Sequence, residues 1–273
     1  MTDLADLLRL LDIETIDVDL YRGQCSTAAR DRVYGGQVAG QALVAAGRTV
    51  ADDRFVHSLH AYFMRPGDPR IPIVYDVDRL RDGRSFTTRR VRARQRGTAI
   101  FTLEASFHVI EPDGLRHQPV APDPPDPEGL PTLVSEVGAD PDGMGEITAL
   151  DFRIAPRSAD PEAPTRYWFR ASGEVDGGPL VHAAIITYAS DHTLLGNILT
   201  RHGRWFGDAD LMMASLDHAM WFHQPMPDST RWMLYETTSP AAGGSRGLGL
   251  GRIYDQRGTL LVTTAQEGLA RVI

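Results

Sequence analysis

The chain has 273 residues, of which 42% are hydrophobic and 23% are charged, a mixture found in ordinary soluble globular proteins. Its net charge of −8 argues against a general nucleic-acid-binding protein, because such domains usually carry a basic face that follows the phosphates. All 28 basic residues are arginine, so a single arginine is weak evidence for phosphate recognition. Cys25 is the one cysteine, which excludes an internal disulfide and a multi-cysteine metal site.

The N-terminal residues are acidic and place apolar residues at helical spacing. A signal peptide would instead begin with basic residues and continue with an unbroken apolar stretch. No segment of the sequence approaches the roughly 18 apolar residues of a membrane span. We therefore expect a cytoplasmic protein without a membrane span.

The first half predicts one helix followed by antiparallel strands. Residues 33–50 are small and apolar nearly all round, which predicts a helix that is buried on most sides. Strand-like runs follow it, separated by the turn sequences PGDP, RDGR and RG. These runs are FVHSLHAYFMRP, PIVYDVDRLRDG, SFTTRRVRARQRG and AIFTLEASFHVI.

One of these runs, SFTTRRVRAR, alternates so as to give a strand with a fully polar face. That face consists of Thr88, Arg90, Arg92 and Arg94, and Arg89 falls on the opposite face. We expect the polar face to meet water, a partner subunit or an anion.

A segment rich in proline, glycine and acidic residues divides the chain. It contains APDPPDPEGLP and GADPDGMGE, and there is no arginine between His117 and Asp151. This composition predicts a surface linker. We expect an N-terminal repeat at residues 1–115, the linker at 116–150 and a C-terminal repeat at 151–273.

The second half repeats the order of the first. LVHAAIITYASDHTLL predicts the helix, and strand-like runs follow it again. Pro66 and Pro225 are 159 residues apart, and Gly97 and Gly258 are 161 apart, which aligns the two QRGT sequences. Such a repeat predicts two units packed side by side with their sheets joined. The runs are ASLDHAMWFHQP, RWMLYETTSP, GLGLGRIYDQRG and TLLVTTAQEGLARVI.

From about residue 21 to the C-terminus, successive blocks of the sequence resemble the acyl-CoA thioesterase II family. RDGRSFTTRRV and LDHAMWFHQP are the specific blocks, and VYGGQVAGQALVAA, HSLHAYFMRPGDP, SDHTLL and TTAQEGLAR accompany them. The resemblance implies an α+β double hot-dog fold, with two curved antiparallel sheets joined side by side and each wrapped around a central helix. It also implies hydrolysis of fatty acyl-CoA to free fatty acid and CoA.

The resemblance further implies a catalytic trio drawn from the second half. Block by block, the trio falls on Asp191, Ser215 and Gln266, with serine at a position where relatives often carry threonine. We expect Asp191 to accept a proton from a water molecule that Ser215 and Gln266 hold by hydrogen bonds. The matched positions of the first copy, Val56 and Ala105, are apolar. One active site per chain is therefore expected, with the first copy as a scaffold that shapes the acyl tunnel.

Acyl-CoA is the expected ligand, and direct attack by water needs no metal or other cofactor. The sequence identifies no residue for the CoA phosphates and indicates no nucleic-acid partner. Hot-dog sheets commonly pair at their edges, so we also expect a homodimer or homotetramer.

Other motifs are better explained by structure than by chemistry. GGSRG at residues 243–247 matches the nucleophile elbow G-x-S-x-G, but a strand and no helix follows Ser245, which indicates a hairpin. Cys25 lies in an N-terminal turn region and is not expected to be catalytic. The histidines of the paired strands are predicted to be structural and not metal ligands. These are His57, His60, His218 and His223.

Two other functions remain as alternatives. A non-catalytic acyl-CoA-binding protein would not need the polar trio, so retention of the trio argues against it. An enoyl-CoA hydratase would need a histidine five residues after the aspartate of the central helix. That position holds Gly196, and Asn197 follows it.

Overall fold

The computed structural model describes residues 3–27, 31–111, 114–133 and 148–273. GADPDGMGE, part of the predicted linker, lies outside the described residues. The described part of that linker contains a short 3-10 helix, Pro127–Gly129. The boundaries proposed for the two repeats stay a prediction.

The described residues form four α-helices and thirteen strands. The helices are α1 (Leu4–Leu11), α2 (Gly35–Gly47), α3 (Pro179–Ser190) and α4 (Gly196–Thr200). The strands of the first half are β1 (Glu14–Asp17), β2 (Leu20–Gly23), β3 (Arg54–Phe63), β4 (Ile73–Asp82), β5 (Phe86–Gln95) and β6 (Thr98–Val109). Those of the second half are β7 (Leu150–Ile154), β8 (Thr165–Ala171), β9 (Leu211–Ser215), β10 (Asp217–Phe222), β11 (Met233–Gly243), β12 (Arg246–Asp255) and β13 (Leu260–Val272).

All these strands belong to one sheet, in the order β1-β2-β4-β5-β6-β3-β10-β13-β12-β11-β8-β7, with β9 beside the end of β13. The antiparallel pair β3 and β10 joins the two halves. The backbone N–H of Phe63 extends this junction by donating to the carbonyl of Leu216 at 2.9 Å. The expected arrangement of two antiparallel sheets joined side by side is confirmed. No helix among the described residues is long and apolar enough to cross a membrane.

The strand register supports the alignment of the two copies. Val56 pairs with Phe107 in the first copy, and Ser215 pairs with Gly268 in the second, at the same offsets of 159 and 161 residues that the sequence gives. In the first copy the pairing is interrupted at the residue after Val56, and in the second copy at the residue after Ser215. Matched positions therefore occupy equivalent places in the two sheets.

The two central helices, α2 and α3, pack against each other in antiparallel orientation through glycines of α2. A Cβ atom at Gly36 would lie 2.4 Å from the carbonyl oxygen of Tyr188, and one at Gly40 would lie 3.2 Å from that of Ala184. Only glycine lets two helix backbones approach so closely. The contact brings the N-terminus of α2 to the C-terminus of α3.

The elements outside the predicted helix-plus-strand units are α1, β1, β2, β7, β8 and α4. All four residues of β1 are exposed, so this edge strand lacks the alternation by which strands are recognised. The second predicted helix is also shorter than expected, since it ends at Ser190. Beyond it, Leu194 and Leu195 turn onto the glycines of β12 and β13, which a continued helix would not allow.

The polar face predicted on β5 is present, and its arginines are paired with carboxylates of neighbouring strands. Arg90 donates to Glu104 at 2.6 Å, and Arg92 and Arg94 donate to Asp76 at 3.1 and 3.3 Å. Exposed pairs of this kind contribute only about 0.2 to 1 kcal/mol each. Because these charges are compensated, the face is poorly suited to bind an anion.

We expect Gly36→Ala to lower the unfolding midpoint. The added methyl group would press on the carbonyl of Tyr188. Overpacking typically costs roughly 1 to 3 kcal/mol, more than the roughly 0.5 to 1 kcal/mol that alanine gains over glycine within a helix. Thermal denaturation measures the change. Gly243→Ala is the control, since a Cβ there meets nothing within 4 Å. Equal midpoints for the two variants would contradict the tight helix contact.

Candidate active site

Asp191 follows the last residue of α3 and lies where the two copies meet. Its Oδ1 atom accepts hydrogen bonds from Nε2 of Gln266 at 2.5 Å and from Oγ of Ser215 at 3.4 Å. The structure thus brings the three predicted residues together from a helix end and two strands, although they are far apart in the sequence.

An irregularity in the sheet positions Ser215 and Gln266 around the carboxylate. Ser215 is the last residue of β9, and the chain breaks the ladder at Leu216 before it continues as β10. The side chain of Asp217 replaces one ladder bond by accepting from the backbone N–H of Glu267 at 2.6 Å. Such bulges re-aim side chains, and here β9 and β13 both direct a polar group at Asp191.

The first copy also contributes to the site, through the N-terminus of α2. The backbone N–H of Gly36 donates a hydrogen bond to Asp191. A Cβ atom at Gly35 would lie 2.7 Å from Oδ2 of Asp191, so the carboxylate can approach this end only because the residue is glycine. The positive end of a helix favours a carboxylate. The first copy is therefore more than a scaffold. A backbone amide leaves no side-chain signature, and the glycine pair in VYGGQ was the only signal for it.

Burial raises the pKa of Asp191 to about 6. The hydrogen bonds from Gln266, Gly36 and Ser215 and the charge of Arg32 all act in the opposite direction and limit the rise. A carboxylate with a pKa near the working pH can both accept a proton and return it. The electrostatics of the site therefore suit a general base.

The residues of the site differ in their exposure. Asp191, Ser215, Gly35 and Phe63 are each partly exposed, whereas Gln266 is fully buried. The Oε1 atom of Gln266 is a buried acceptor without a hydrogen-bond partner in the described part of the chain. Buried acceptors are normally satisfied, often by an ordered water molecule. The site thus combines partly exposed residues with a buried acceptor that has no partner in the described part of the chain.

Two family models match the chain: the acyl-CoA thioesterase N-terminal domain over residues 23–108, and the acyl-CoA thioesterase C-terminal domain over residues 117–270. The chain belongs to the acyl-CoA thioesterase family. The two matches correspond to the two copies found in the sequence and in the fold.

Individual proteins similar to the chain are also named acyl-CoA thioesterases. The chain is 41% identical to human acyl-coenzyme A thioesterase 8, over 96% of this chain and 88% of the human protein. It is 36% identical to acyl-CoA thioesterase 2 of Haemophilus influenzae, over 98% of each. The crystal structure of acyl-CoA thioesterase II TesB2 from Mycobacterium marinum is 40% identical and superimposes with a TM-score of 0.84, over 98% of both chains. The protein is an acyl-CoA thioesterase, as the sequence resemblance predicted.

The fold assignment is confirmed as well. A protein with a hot dog fold from Alicyclobacillus acidocaldarius is 19% identical and has a TM-score of 0.82, with 98% of each chain covered. Together with the two helix-plus-strand copies, this likeness confirms the double hot-dog α+β fold.

In this thioesterase, a buried layer supports Asp191 from behind. Oγ of Ser190 donates to the carbonyl of Thr187 at 3.0 Å and lies 2.8 Å from Nε2 of His218. Burial lowers the pKa of His218 to about 4, so the imidazole beside Ser190 is neutral. The hydroxyl of Tyr235 donates to the carbonyl of Ser190 at 3.2 Å. These bonds fix the last turn of α3.

The rejected candidates have the surroundings expected for structural residues. Ser245 and Gly244 form a two-residue turn with φ of 60° and 57° between β11 and β12, the hairpin that the sequence predicts. The thiol of Cys25 donates to the carbonyl of Ile71 at 3.3 Å, and burial raises the pKa of Cys25 to about 11. A thiol with such a pKa is a poor nucleophile.

The histidines of the paired strands contact side chains of the sheet. Nε2 of His57 lies 2.8 Å from Oγ of Ser106, and Nε2 of His223 lies 2.8 Å from Oγ1 of Thr263. His60 packs edge to face against Trp221, with ring centroids 5.3 Å apart. These contacts suit a structural role.

We expect kcat/KM to rise with pH through about 6, the raised pKa of Asp191, and to level off above it. The sign follows because the deprotonated carboxylate is the form that can accept a proton, so protonation at lower pH removes the base. A pH profile of kcat/KM for an acyl-CoA measures this. A profile that is flat between pH values of about 4 and 8 would contradict the role of a carboxylate with a raised pKa.

Proposed function

We propose that this thioesterase hydrolyses fatty acyl-CoA to free fatty acid and CoA by direct attack of a water molecule that Asp191 activates. The observation that carries the proposal is the shared use of one carboxylate oxygen. Ser215 and Gln266 both bond to Oδ1 of Asp191, so neither side-chain donor uses Oδ2, the oxygen beside which we place the water. The raised pKa of Asp191 gives this oxygen the basicity that the step requires.

The reaction then proceeds in two steps. The oxygen of water forms a bond to the thioester carbonyl carbon while Asp191 takes one of its protons. The resulting tetrahedral oxyanion collapses, the carbon–sulfur bond breaks, and the CoA thiolate leaves with the bonding pair. Asp191 returns its proton to the thiolate. A thiolate leaves readily, so the protein needs to orient the water and accept one proton.

Ser215 and Gln266 hold the carboxylate and the water in place. Nε2 of Gln266 is committed to Asp191, and Oε1 is the free acceptor that can receive the second hydrogen of the water. Serine in place of threonine keeps the hydroxyl but loses the β-branch that stiffens χ1. The separation of 3.4 Å between Ser215 and Asp191 is consistent with a hydroxyl that is held less tightly.

The alternatives are less well supported. A binding protein without catalysis would have no reason to bury a carboxylate at a cost and surround it with donors. The hydratase reading lacks its histidine, since Gly196 begins α4 and Asn197 is buried with its Oδ1 accepting from Thr165 at 2.7 Å. The side-chain nitrogen of Asn197 donates to the hydroxyl of Thr237. Asn197 thus anchors a helix and faces no substrate.

Location in the cytoplasm and self-association into a homodimer or homotetramer remain our proposals. They rest on the composition of the sequence and on the tendency of sheet edges to pair. Size-exclusion chromatography with light scattering tests the second of them.

We expect Asp191→Asn to lower kcat by about 100- to 10,000-fold, the usual contribution of a general base. Ser215→Ala loses one hydrogen bond to a charged group and should lower kcat about 10- to 100-fold. Ser215→Thr should retain activity or raise it, because threonine keeps the hydroxyl in a stiffer rotamer. Release of free thiol from acyl-CoA measures all three. If the Asp191→Asn variant turned over as fast as the unsubstituted enzyme, the proposal would be refuted.

Direct attack also predicts that no acyl-enzyme accumulates. Rapid-quench measurements should show CoA and fatty acid formed in equal amounts from the first turnover, because no ester on Ser215 is made. Intact-protein mass spectrometry of the quenched enzyme provides the second readout. A burst of CoA ahead of fatty acid, with an acyl adduct on the protein, would replace direct attack by a covalent mechanism.

A further inference from the structure

We propose that Phe63 of the first copy determines specificity at C2 of the acyl chain, the carbon next to the thioester carbonyl. Its ring forms the wall against which C2 packs and disfavours substrates that carry a branch there. The inference rests on the proposed role of Asp191 as the base.

The position of the ring relative to the reacting oxygen is fixed by Gly35. A Cβ atom at Gly35 would lie 2.7 Å from Oδ2 of Asp191 and 2.8 Å from Cε1 of Phe63. The carboxylate oxygen and the edge of the phenyl ring therefore flank the same point. Since both side-chain donors, Ser215 and Gln266, bond to Oδ1, the proposed mechanism places the attacking water beside Oδ2.

The ring of Phe63 is among the partly exposed groups of the site. Phe63 is partly exposed, as are Asp191, Gly35 and Ser215, while the layer behind the carboxylate is closed by Ser190 and other fully buried side chains. A thioester that reaches the water must enter from the exposed side. Its carbonyl carbon then lies between Oδ2 of Asp191 and the side chain of Phe63.

The two groups attached to the carbonyl carbon differ in polarity, and this difference decides which of them contacts the ring of Phe63. The carbonyl carbon carries sulfur, which continues into the large polar CoA, and C2, which begins the apolar chain. An apolar ring matches the acyl arm. Phe63 cannot easily move aside, because the fully buried Phe101 packs behind it with ring centroids 5.1 Å apart. A methyl branch on C2 would press on a wall that is held in place.

The second copy offers a matched control for Phe63. Phe222 lies at the equivalent position, 159 residues later in the sequence, and is 6% exposed. It is one of the buried members of the main hydrophobic core. Shortening Phe222 therefore reports the effect of lost aromatic packing alone.

The experiment compares kcat/KM for a straight-chain acyl-CoA and for its 2-methyl analogue. Phe63→Leu and Phe63→Ala should shift the ratio toward the branched substrate, by about tenfold or more for alanine, since one methyl group in a packed pocket typically discriminates by at least that factor. Phe222→Leu should leave the ratio unchanged. Phe63→Leu keeps the test valid if the alanine variant does not fold.

An unchanged ratio in both Phe63 variants, or an equal loss for both substrates, would overturn the inference. An equal shift in Phe222→Leu would overturn it too, because the effect would then come from general packing. The proposed mechanism is judged separately, by the turnover of Asp191→Asn. If that variant stays active while the Phe63 ratio shifts, the mechanism fails and the position of the acyl chain stands.

Discussion

The close antiparallel contact between α2 and α3 is the constraint on which the site depends. Glycines at positions 36 and 40 let the two backbones touch, so the first amides of one helix reach the residue that ends the other. This contact has two opposing electrostatic effects on Asp191. It removes the carboxylate from water, which raises its pKa, and it supplies the amide of Gly36, which limits the rise. The balance leaves a carboxyl group with a pKa of about 6.

Two facing positions on neighbouring strands, equivalent in the two copies, explain why the copies differ in chemistry. Arg89 pairs with Ala105 in the first copy, and Gly249 pairs with Gln266 in the second. Each pair thus has one long polar side chain and one small residue, on opposite strands. Within each copy the long side chain reaches the chain just after the central helix.

In the first copy this side chain is a guanidinium that serves the structure. Arg89 is 1% exposed and donates to the hydroxyl and the carbonyl of Thr49, which follows α2, and to Asp82. All of these acceptors are satisfied by the guanidinium, so the end of α2 is closed. In the second copy the neutral amide of Gln266 donates once, to Asp191, and keeps a free acceptor. This exchange supports the proposal of one active site per chain.

Much of this arrangement could be predicted from the sequence, because the repeat and the spacing of its residues reflect it. The helix-plus-strand repeat and the offsets place Ser215 and Gln266 at positions matched by apolar residues in the first copy. The contribution of Gly36 could not be derived, since it is a backbone amide whose partner is far away in the sequence. The alternation placed Arg89 on the face opposite the polar one, but its burial depends on acceptors at Thr49 that only the folded chain brings near. Small elements such as α4 were missed because their stability comes from packing and not from periodicity.

The segment after Asp191 shows how the protein keeps a carboxylate in a costly environment. An acid whose folded pKa is raised contributes stability below its unfolded pKa of about 3.9, and that contribution is lost as the pH rises through the folded value. The ionised enzyme would therefore gain by letting Asp191 relax toward water. Both flanks oppose this movement. Ser190 is held by His218 and Tyr235.

On the other flank, Leu194 and Leu195 lie so close to β12 and β13 that a Cβ atom on the facing glycines, Gly249 and Gly268, would clash. Asn197 then ties α4 to β8 and β11 through Thr165 and Thr237. Because neither flank can yield without opening a packed interface, the carboxylate keeps its orientation when it ionises. In the proposed mechanism, preorganisation of this kind reduces the reorganisation required during the reaction, and here glycine-lined strands provide it.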